Sequence, residues 1–228
     1  MNRFIDQTWV IVPAYNEEAC ISSTIHSILH YMPNVVVVDD CSCDATSHVS
    51  LDAGVHVLRH PINLGQGAAL QTGFDYALRN GAKYIVSFDA DGQHKAEEIV
   101  PMLQALISNN VEVALGSRFL GKTLNIPQSR RRLLKLAILF TRLTSGGNFT
   151  DVHNGFRIMT RSFLTKFRFK QDRMAHASEI LTYIAKQDIP YMEFPVTIAY
   201  TAYSVEKGQR NSHLIKVLLE LVGGFFSK

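Results

Sequence analysis

An uninterrupted run of valines, Val35–Val38, is the feature that most restricts what this chain can fold into. The run covers only four residues, is bounded by polar residues, and ends in Asp39-Asp40. A short segment that is apolar at every position is typical of a strand buried on both faces, as in a parallel sheet covered by helices. The run therefore predicts a strand in the middle of an α/β layer structure.

The rest of the first half alternates strands with helices, as such a structure requires. Strands are predicted at Trp9–Pro13, Val35–Val38, Val55–Leu58, Tyr84–Phe88 and Val111–Leu115. Helices are predicted between them at Glu17–Tyr31, Asp44–Ala53, Gly65–Asn80 and Ala96–Ser108. This order predicts a doubly wound, mostly parallel α/β sheet, in which ligands bind beyond the carboxyl ends of the strands.

The pattern changes after Ser117. Helices are predicted at Arg130–Leu143 and Ser178–Lys186, a polar loop at Thr150–Arg157, and a strand at Tyr191–Ala199. The final segment, Ser212–Phe226, has apolar residues at the spacing of an amphipathic helix. We expect one domain over residues 1–211 and a C-terminal amphipathic helix over 212–228, which packs on the domain or docks on a membrane or partner.

Composition favours a soluble globular protein without a nucleic-acid partner. The net charge is only +3, and 46% of residues are hydrophobic against 19% charged. The three cysteines, Cys20, Cys41 and Cys43, are an odd number without zinc-site spacing, which favours reduced thiols in the cytoplasm. No leader precedes Trp9, and no apolar run approaches the ~20 residues that span a bilayer. We therefore expect a protein in solution or on a membrane surface.

Polar residues follow four of the predicted strands. They occupy Pro13–Glu17, Asp39-Asp40, Asn63–Gly67 and Asp89–Gln93. Because the carboxyl ends of parallel strands meet at one edge of the sheet, these residues should lie together. There an aromatic ring could stack on a base, a carboxylate could accept a base N–H, and two spaced acids could hold Mg²⁺ or Mn²⁺ against a diphosphate.

Each of these motifs also has a structural interpretation. Asp39-Asp40 could cap a helix, Asp89 and Asp91 could form a turn before Gly92, and Tyr15 could be a packed aromatic residue. The segment Asn63–Gly67 lacks the full phosphate-loop pattern. The occurrence of all four motifs, in order, at successive strand ends favours a nucleotide site over four separate turns.

The sequence resembles the family 2 inverting glycosyltransferases of the GT-A fold, and is most similar to the dolichyl- and polyprenyl-phosphate sugar synthases. The resemblance extends from Trp9 to Tyr203. It rests on six motifs in the correct order: VIVPAYNEE, VVVVDDCSCDAT, NLGQGAALQTGF, FDADGQH, GSRF and DVHNGFR.

The resemblance implies a role for each motif. It implies that the nucleotide binds to Pro13, Tyr15, Glu17, Asp39 and Asp40. It implies that the metal ion, Mg²⁺ or Mn²⁺, is coordinated by Asp89, Asp91 and Gln93. Arg118 should face phosphate groups, and the acceptor phosphate should contact Arg130, Arg131 or Lys135. The loop Asn154–Arg157, which follows Asp151, should lie close to the donor sugar and pyrophosphate.

Two positions depart from the family pattern, and the tail adds a further resemblance. Cys41 stands where the family usually has Gly, so this turn must form without glycine's conformational freedom. Gln66 stands where the family usually has Lys or Arg, which removes one possible phosphate contact. The tail at Tyr203–Asn211 resembles short bacterial members without transmembrane helices, which implies a small integral membrane protein as partner and a location on the cytoplasmic face of the membrane.

The implied reaction is an in-line displacement at the anomeric carbon of a nucleotide-diphosphate sugar, with inversion. A lipid phosphate acceptor is already an anion and needs no general base. A saccharide hydroxyl acceptor, as in surface polysaccharide synthesis, would need a carboxylate base, for which Glu179 and Asp151 are the candidates. Glu179 could instead be a solvated residue at a helix start.

Two alternatives belong to other functional classes. A nucleotidyltransferase would favour a glycine- and lysine-rich first loop, whereas the first strand here ends in PAYNEE. A non-catalytic nucleotide-binding subunit of a membrane complex would be indicated by loss of the metal ligands, and none is lost.

Overall fold

The computed structural model describes residues 2–124, 126, 128–145, 147–171 and 176–200. The predicted domain boundary at residue 211 and the predicted helix over 212–228 lie outside these residues. Within them no helix is both long enough and apolar enough to cross a membrane.

In the described part of the chain, one sheet of seven strands organises the fold. The strands are β1 (Thr8–Ala14), β2 (Asn34–Asp39), β3 (His56–Arg59), β4 (Tyr84–Ser87), β5 (Val113–Leu124), β6 (Arg157–Thr160) and β7 (Tyr191–Ala199). Their order across the sheet is β3-β2-β1-β4-β6-β5-β7. Of these seven described strands, β6 alone runs antiparallel to its neighbours, which confirms the predicted mostly parallel sheet.

Helices cover both faces of the sheet. They are α1 (Asn2–Asp6), α2 (Ile21–Leu29), α3 (Thr46–Asp52), α4 (Gln66–Arg79), α5 (Ile99–Ser108), α6 (Gln128–Ser145), α7 (Arg161–Lys166) and α8 (His176–Lys186). A 3₁₀ turn at Ala96–Glu98 leads into α5. The helices predicted within the described residues are therefore present, with ends displaced by a few residues.

The sequence prediction was wrong about two strands. The strand expected at Val111–Leu115 continues to Leu124, because after an irregularity between Ser117 and Lys122 its second half pairs with β7. The four-residue strand β6 was not predicted and begins at the end of the predicted loop. It forms because its residues pair with both β4 and β5, so this strand depends on contacts between segments that are distant in the sequence.

The core has two halves, one on each face of the sheet. Along β1, Val10 and Val12 belong to the half beneath α2 and α5, whereas Ile11 belongs to the half beneath α4, α7 and α8. Because successive side chains of a strand point to opposite faces, a strand covered on both sides must be apolar throughout. This is the physical reason for the uninterrupted valines of β2, four of which are at most 1% exposed.

Helix α4 lies unusually close to the sheet at Gly73. A Cβ atom at this position would overlap Cγ2 of Ile11, and it would lie 3.2 Å from Cγ2 of Val38. Ile11 is fully buried and stiff at χ1, so it cannot move aside easily. Glycine is therefore required here for helix-to-sheet contact, although it normally weakens a helix.

We expect Gly73→Ala to destabilise the protein by about 1–3 kcal/mol, through overpacking against Ile11. Helix propensity alone would predict the opposite sign, a gain of roughly 0.5–1 kcal/mol. The measurement is the free energy of unfolding by urea denaturation. In the double variant Gly73→Ala/Ile11→Ala, removal of Cγ2 should make the two losses less than additive. A neutral or stabilising Gly73→Ala would contradict the close packing.

Candidate active site

The loops that follow β1 and β2 are bound to each other by side-chain-to-backbone hydrogen bonds. The backbone N–H of Asn16 donates to Oγ of Ser42 at 2.9 Å, and the N–H of Cys43 donates back to Oδ1 of Asn16 at 2.8 Å. The N–H of Glu17 donates to Oγ1 of Thr46 at 2.8 Å. The polar residues of the first two motifs therefore fix the shape of the loops themselves.

Asp39 is fully buried within this pair of loops. Its carboxylate accepts the backbone N–H of Ser42 at 2.9 Å and the hydroxyl of Ser47, and Nε of Arg59 lies 3.6 Å away. It does not line the cleft described below. In this structure Asp39 acts as the centre of a turn, and its contact with the nucleotide stays a prediction.

Asp40 connects the second motif to the third. Oδ1 accepts the backbone N–H of Leu64 at 2.9 Å, and Oδ2 accepts that of Gly65 at 2.7 Å. Nδ1 of His60 lies 2.7 Å from Oδ1, and Nε2 of the same ring lies 3.0 Å from Oγ1 of Thr72. Asp40 thus orders the segment that enters α4, while remaining on the wall of the cleft.

A cleft of about 370 Å³ opens at the carboxyl ends of β1, β2 and β4, within the size range of small-molecule sites. Ten of the residues predicted for the site line it: Pro13, Tyr15, Glu17, Asp40, Asp89, Asp91, Gln93, Arg118, Asn154 and Arg157. Tyr15 lines the rim and is 44% exposed. The prediction that residues from separate strand ends meet at one edge is confirmed.

Asp89 is held on several sides by other residues. Nε2 of His94 lies 2.9 Å from Oδ2, and the amide of Gln66 donates to Oδ1 at 3.2 Å. A Cβ atom at Gly155 would overlap both carboxylate oxygens, so the backbone of that loop lies directly against them. Burial raises the pKa of Asp89, but the hydrogen bond and the charge of His94 lower it by more, so the pKa lies below its ordinary value.

Asp91 behaves differently from Asp89. Burial, followed by the neighbouring charge of Asp89, raises the pKa of Asp91 to about 6. Two carboxylates that share a partly dry site repel each other, and a cation between them relieves that repulsion. The acid pair therefore has the electrostatics of a cation site.

The side chains of the acid pair suit a divalent ion that uses its remaining coordination positions to bind substrate. Among the residues that the structure describes, no group of three or more His, Cys, Asp or Glu side chains could enclose a metal ion. Mg²⁺ is commonly bound by one or two carboxylates together with substrate phosphates and water. Asp89 and Asp91, with Gln93 beside them on the cleft wall, match that arrangement.

Arg118 is only 6% exposed and is tied to the protein through all three of its guanidinium nitrogens. Nε donates to Asp151 at 2.6 Å, Nη1 to the hydroxyl of Tyr200 at 2.8 Å, and Nη2 to the carbonyl of His153 at 2.7 Å. Although burial lowers it, the pKa of Arg118 is raised overall by Asp151 and Tyr200. Asp151 is thus the partner of Arg118 and does not line the cleft.

Glu179 and the basic residues of α6 are the remaining predicted residues. The carboxylate of Glu179 accepts the backbone N–H groups of Lys170 and Gln171 at 2.9–3.1 Å, and it does not line the cleft. Arg131 and Lys135 are exposed on α6. Arg130 is also on α6, but its side chain lies outside the described residues.

Several residues of the site were missed from the sequence. His94 is 8% exposed and contacts Asp89; its signal was its place directly after Gln93 in the FDADGQH motif. His153 and His176 line the cleft, and Tyr200 holds Arg118 from the end of β7. His153 lies within the DVHNGFR motif, which was its signal. No local sequence pattern marks His176 or Tyr200, because their roles depend on segments that meet only in the folded chain.

Comparison with known proteins agrees with this geometry. The profile of Glycosyl transferase family 2 matches residues 9–168, which is more than half of the chain. The chain therefore belongs to glycosyl transferase family 2, and it is a glycosyltransferase.

Relatives match over nearly the whole chain. An uncharacterised protein of Methanocaldococcus jannaschii is 34% identical over 95% of this chain and 91% of its own. The UDP-N-acetylglucosamine–dolichyl-phosphate N-acetylglucosaminyltransferase of Methanococcus voltae is 30% identical over 88% of each chain. The polyprenol monophosphomannose synthase of Mycolicibacterium smegmatis is 32% identical over 90% of this chain and 82% of its own.

A solved structure shares the fold. Glucosyl-3-phosphoglycerate synthase from Mycobacterium tuberculosis, crystallised with phosphoglyceric acid, superposes with a TM-score of 0.69 at 20% identity, over 94% of this chain and 79% of that chain. The predicted GT-A-type sheet is confirmed by this match.

Cys41 adopts a left-handed backbone conformation, with φ of 65°. An L-residue with a Cβ atom is strained there by about 1–2 kcal/mol, whereas glycine is not. We expect Cys41→Gly to raise the free energy of unfolding by about 0.5–1 kcal/mol, after the extra chain entropy of glycine is subtracted. Cys43→Gly is the matched control, since Cys43 does not have positive φ. It should lower stability, and equal responses of the two variants in urea denaturation would contradict this account.

Proposed function

We propose that the protein transfers a sugar from a nucleotide-diphosphate donor to a polyprenyl or dolichyl phosphate, with Mg²⁺ or Mn²⁺ as cofactor. The observation that carries the proposal is the cleft itself, which is lined by the acid pair Asp89 and Asp91 and by the buried cations Arg118 and Arg157. Carboxylates that suit a metal and arginines that suit phosphate are the two halves of a diphosphate site.

The donor nucleoside is assigned to the rim of the cleft. Tyr15 offers an exposed ring for stacking, and Glu17 and Asp40 line the wall beside it. The sugar and pyrophosphate would then extend past Asp91 towards Asn154. Asp39 would contact the base only after a rearrangement of its turn, because both of its oxygens are engaged.

The metal would be held by Asp89, Asp91 and Gln93, and when bound it would neutralise charge on the departing diphosphate. Asp89 is oriented for this by His94 and Gln66. Metal ligands are commonly fixed by such hydrogen bonds, which keep their geometry constant through turnover.

A lipid phosphate is favoured over a saccharide hydroxyl as the acceptor. A hydroxyl needs a carboxylate base, and both candidates, Glu179 and Asp151, use their oxygens elsewhere and do not line the cleft. A phosphate needs only to be positioned, which buried cations can do. The printed names of the Methanococcus voltae and Mycolicibacterium smegmatis relatives point to the same class of acceptor.

Helix α6 supplies a surface suited to a membrane. Arg131, Arg132 and Lys135 are exposed at its beginning, and Leu136 and Leu139 follow on the outside with 58% and 55% exposure. Cations beside exposed leucines are typical of helices that lie in a bilayer interface. The helix packs on α8, whose first residues line the cleft, so a lipid phosphate arriving along α6 would approach the acid pair.

This arrangement supports a peripheral location on the cytoplasmic face of the membrane. Arg131 and Lys135 would receive the acceptor phosphate at the surface, and Arg130 belongs to the same proposal by its place in the helix. A small integral membrane protein as an anchor stays a prediction, since it rests on the tail at Tyr203–Asn211.

Asp91→Asn should reduce transfer at least about 100-fold, because it removes a charge from the metal site with little change of shape. The measurement is extraction of labelled sugar into organic solvent, after incubation of a panel of radiolabelled nucleotide sugars with polyprenyl phosphate and Mn²⁺. Asp52→Asn, at an exposed position at the end of α3, should keep wild-type activity. EDTA should abolish transfer, and added Mn²⁺ should restore it.

Two results of that assay would contradict the proposal. Full activity of Asp91→Asn would exclude the metal role of that carboxylate. Transfer of label only to water-soluble glycan would replace the lipid phosphate by a saccharide hydroxyl as acceptor.

Leu136→Glu should weaken binding to anionic phospholipid vesicles by about 10-fold, because a buried leucine contributes roughly 1.5–3 kcal/mol. The measurement is co-flotation of the full chain with vesicles of phosphatidylglycerol and phosphatidylcholine. Leu51→Glu is the matched control, since Leu51 has the same exposure, 59%, on α3. Equal flotation of both variants and the wild type would show that α6 does not contribute to membrane binding.

A further inference from the structure

Strand β7 lies at one edge of the described sheet, next to β5. The backbone N–H of Tyr200, just beyond the end of the strand, donates to the carbonyl of Leu124 on β5 at 3.2 Å. Because the N–H groups of successive residues in a strand point to opposite sides, those of Thr197 and Ala199 face away from β5. This side of β7 is therefore available to a partner other than β5.

The partner is the segment Asp89–Glu98, which carries the acid pair and is called the metal loop below. The N–H of Ala199 donates to the carbonyl of Gln93 at 3.0 Å. His94 and Ile198 form an antiparallel bridge between the same two segments. The end of β7 thus pairs with the metal loop as it would with a short additional strand.

Glu98 extends this pairing with its side chain. Both of its carboxylate oxygens lie 3.0 Å from the backbone nitrogen of Thr197, whose N–H donates to them. The carboxylate therefore stands where a neighbouring strand would place a carbonyl, and its charge makes the bond stronger. Pro195, two residues earlier in β7, has no N–H group. Proline is tolerated in a strand where that missing N–H would face away from the ladder, so the sequence agrees with this assignment of the two sides.

The residues that pair with β7 are those that surround the acid pair. Gln93 is the third proposed metal ligand, and Nε2 of the next residue, His94, lies 2.9 Å from Oδ2 of Asp89. Nearer its beginning, the loop is held by α2, where Oγ1 of Thr24 donates to the carbonyl of Ala90 at 3.0 Å. The metal loop is therefore fixed at two points, and the second of them is the end of β7.

We propose that Glu98 is a positioning residue for the metal site. Its carboxylate binds β7 in the place of a backbone carbonyl, and it thereby sets the position of Gln93 beside Asp89 and Asp91. Mg²⁺ demands near-ideal octahedral geometry, so its affinity depends on how well the ligands are held. This inference rests on the proposed function, because it takes over the metal role of those three residues.

Binding of Mn²⁺ to the full chain measures the effect without sugar transfer. Free Mn²⁺ is followed by electron paramagnetic resonance, alone and with UDP or GDP, for the wild type and each variant. Glu98→Ala should weaken Mn²⁺ binding roughly 10- to 100-fold, as is usual when a group that orients metal ligands is removed. Glu98→Gln keeps one acceptor oxygen and should recover most of that loss. Glu97→Ala, at the exposed neighbouring carboxylate, is the matched control and should bind as the wild type does.

Removal of the N–H group of Thr197 tests the same bond from the other side. Thr197→Pro deletes the donor at an edge position where proline is tolerated, and it should weaken Mn²⁺ binding to a similar extent. Because both changes remove one bond, Glu98→Ala/Thr197→Pro should bind no more weakly than either single variant. All affinities are measured well below the Tm of each variant, so that partial unfolding does not lower them. If Glu98→Ala does not fold, Thr197→Pro carries the test.

The outcomes separate this inference from the proposed reaction. Wild-type affinity for Mn²⁺ in both Glu98→Ala and Thr197→Pro, or an equal loss in Glu97→Ala, would overturn the positioning role and leave the proposed reaction intact. Additive losses in the double variant would also overturn it, since Glu98 would then act through another contact. Absence of Mn²⁺ binding by the wild type under every condition would overturn the proposed metal role together with the inference.

Discussion

Charge buried at the carboxyl ends of the parallel strands is the constraint on which the rest of this structure depends. Asp39 and Asp40 stand at the end of β2 and are buried. Asp39 accepts the N–H group of Ser42 in the loop after β2, and Asp40 accepts those of Leu64 and Gly65 in the loop after β3, so the two carboxylates shape loops around the cleft. The same oxygens that suit a ligand site are thus the ones that hold its walls in place.

Neutral and positive groups complete that arrangement around the acid pair. His94 and Gln66 fix Asp89, which leaves Asp91 as the carboxylate whose charge is least compensated, with its pKa raised to about 6 by burial and by Asp89. The neutral amide of Gln66 orients Asp89 without neutralising it, so the acid pair keeps its negative charge.

The two buried arginines of the cleft, Arg118 and Arg157, differ in their surroundings. Arg118 joins three separate segments, through Asp151, His153 and Tyr200. Among the described residues Arg157 makes no ion pair, and it donates only to the backbone carbonyls of Asn154 and Ala177.

The sequence by itself determined the parallel α/β class, the positions of most helices, and the gathering of acids at one edge, because apolar periodicity and the meeting of parallel strand ends are local consequences of residue order. It also identified Cys41 as a turn residue in the place of glycine, which its positive φ confirms. Only the tertiary structure decided that β5 extends to Leu124, that Glu179 and Asp151 face protein groups, and that Arg118 is paired while Arg157 is not. Those facts depend on which carboxylate or carbonyl from a distant part of the chain lies beside each side chain after folding. The spacing of residues along the sequence does not contain that information.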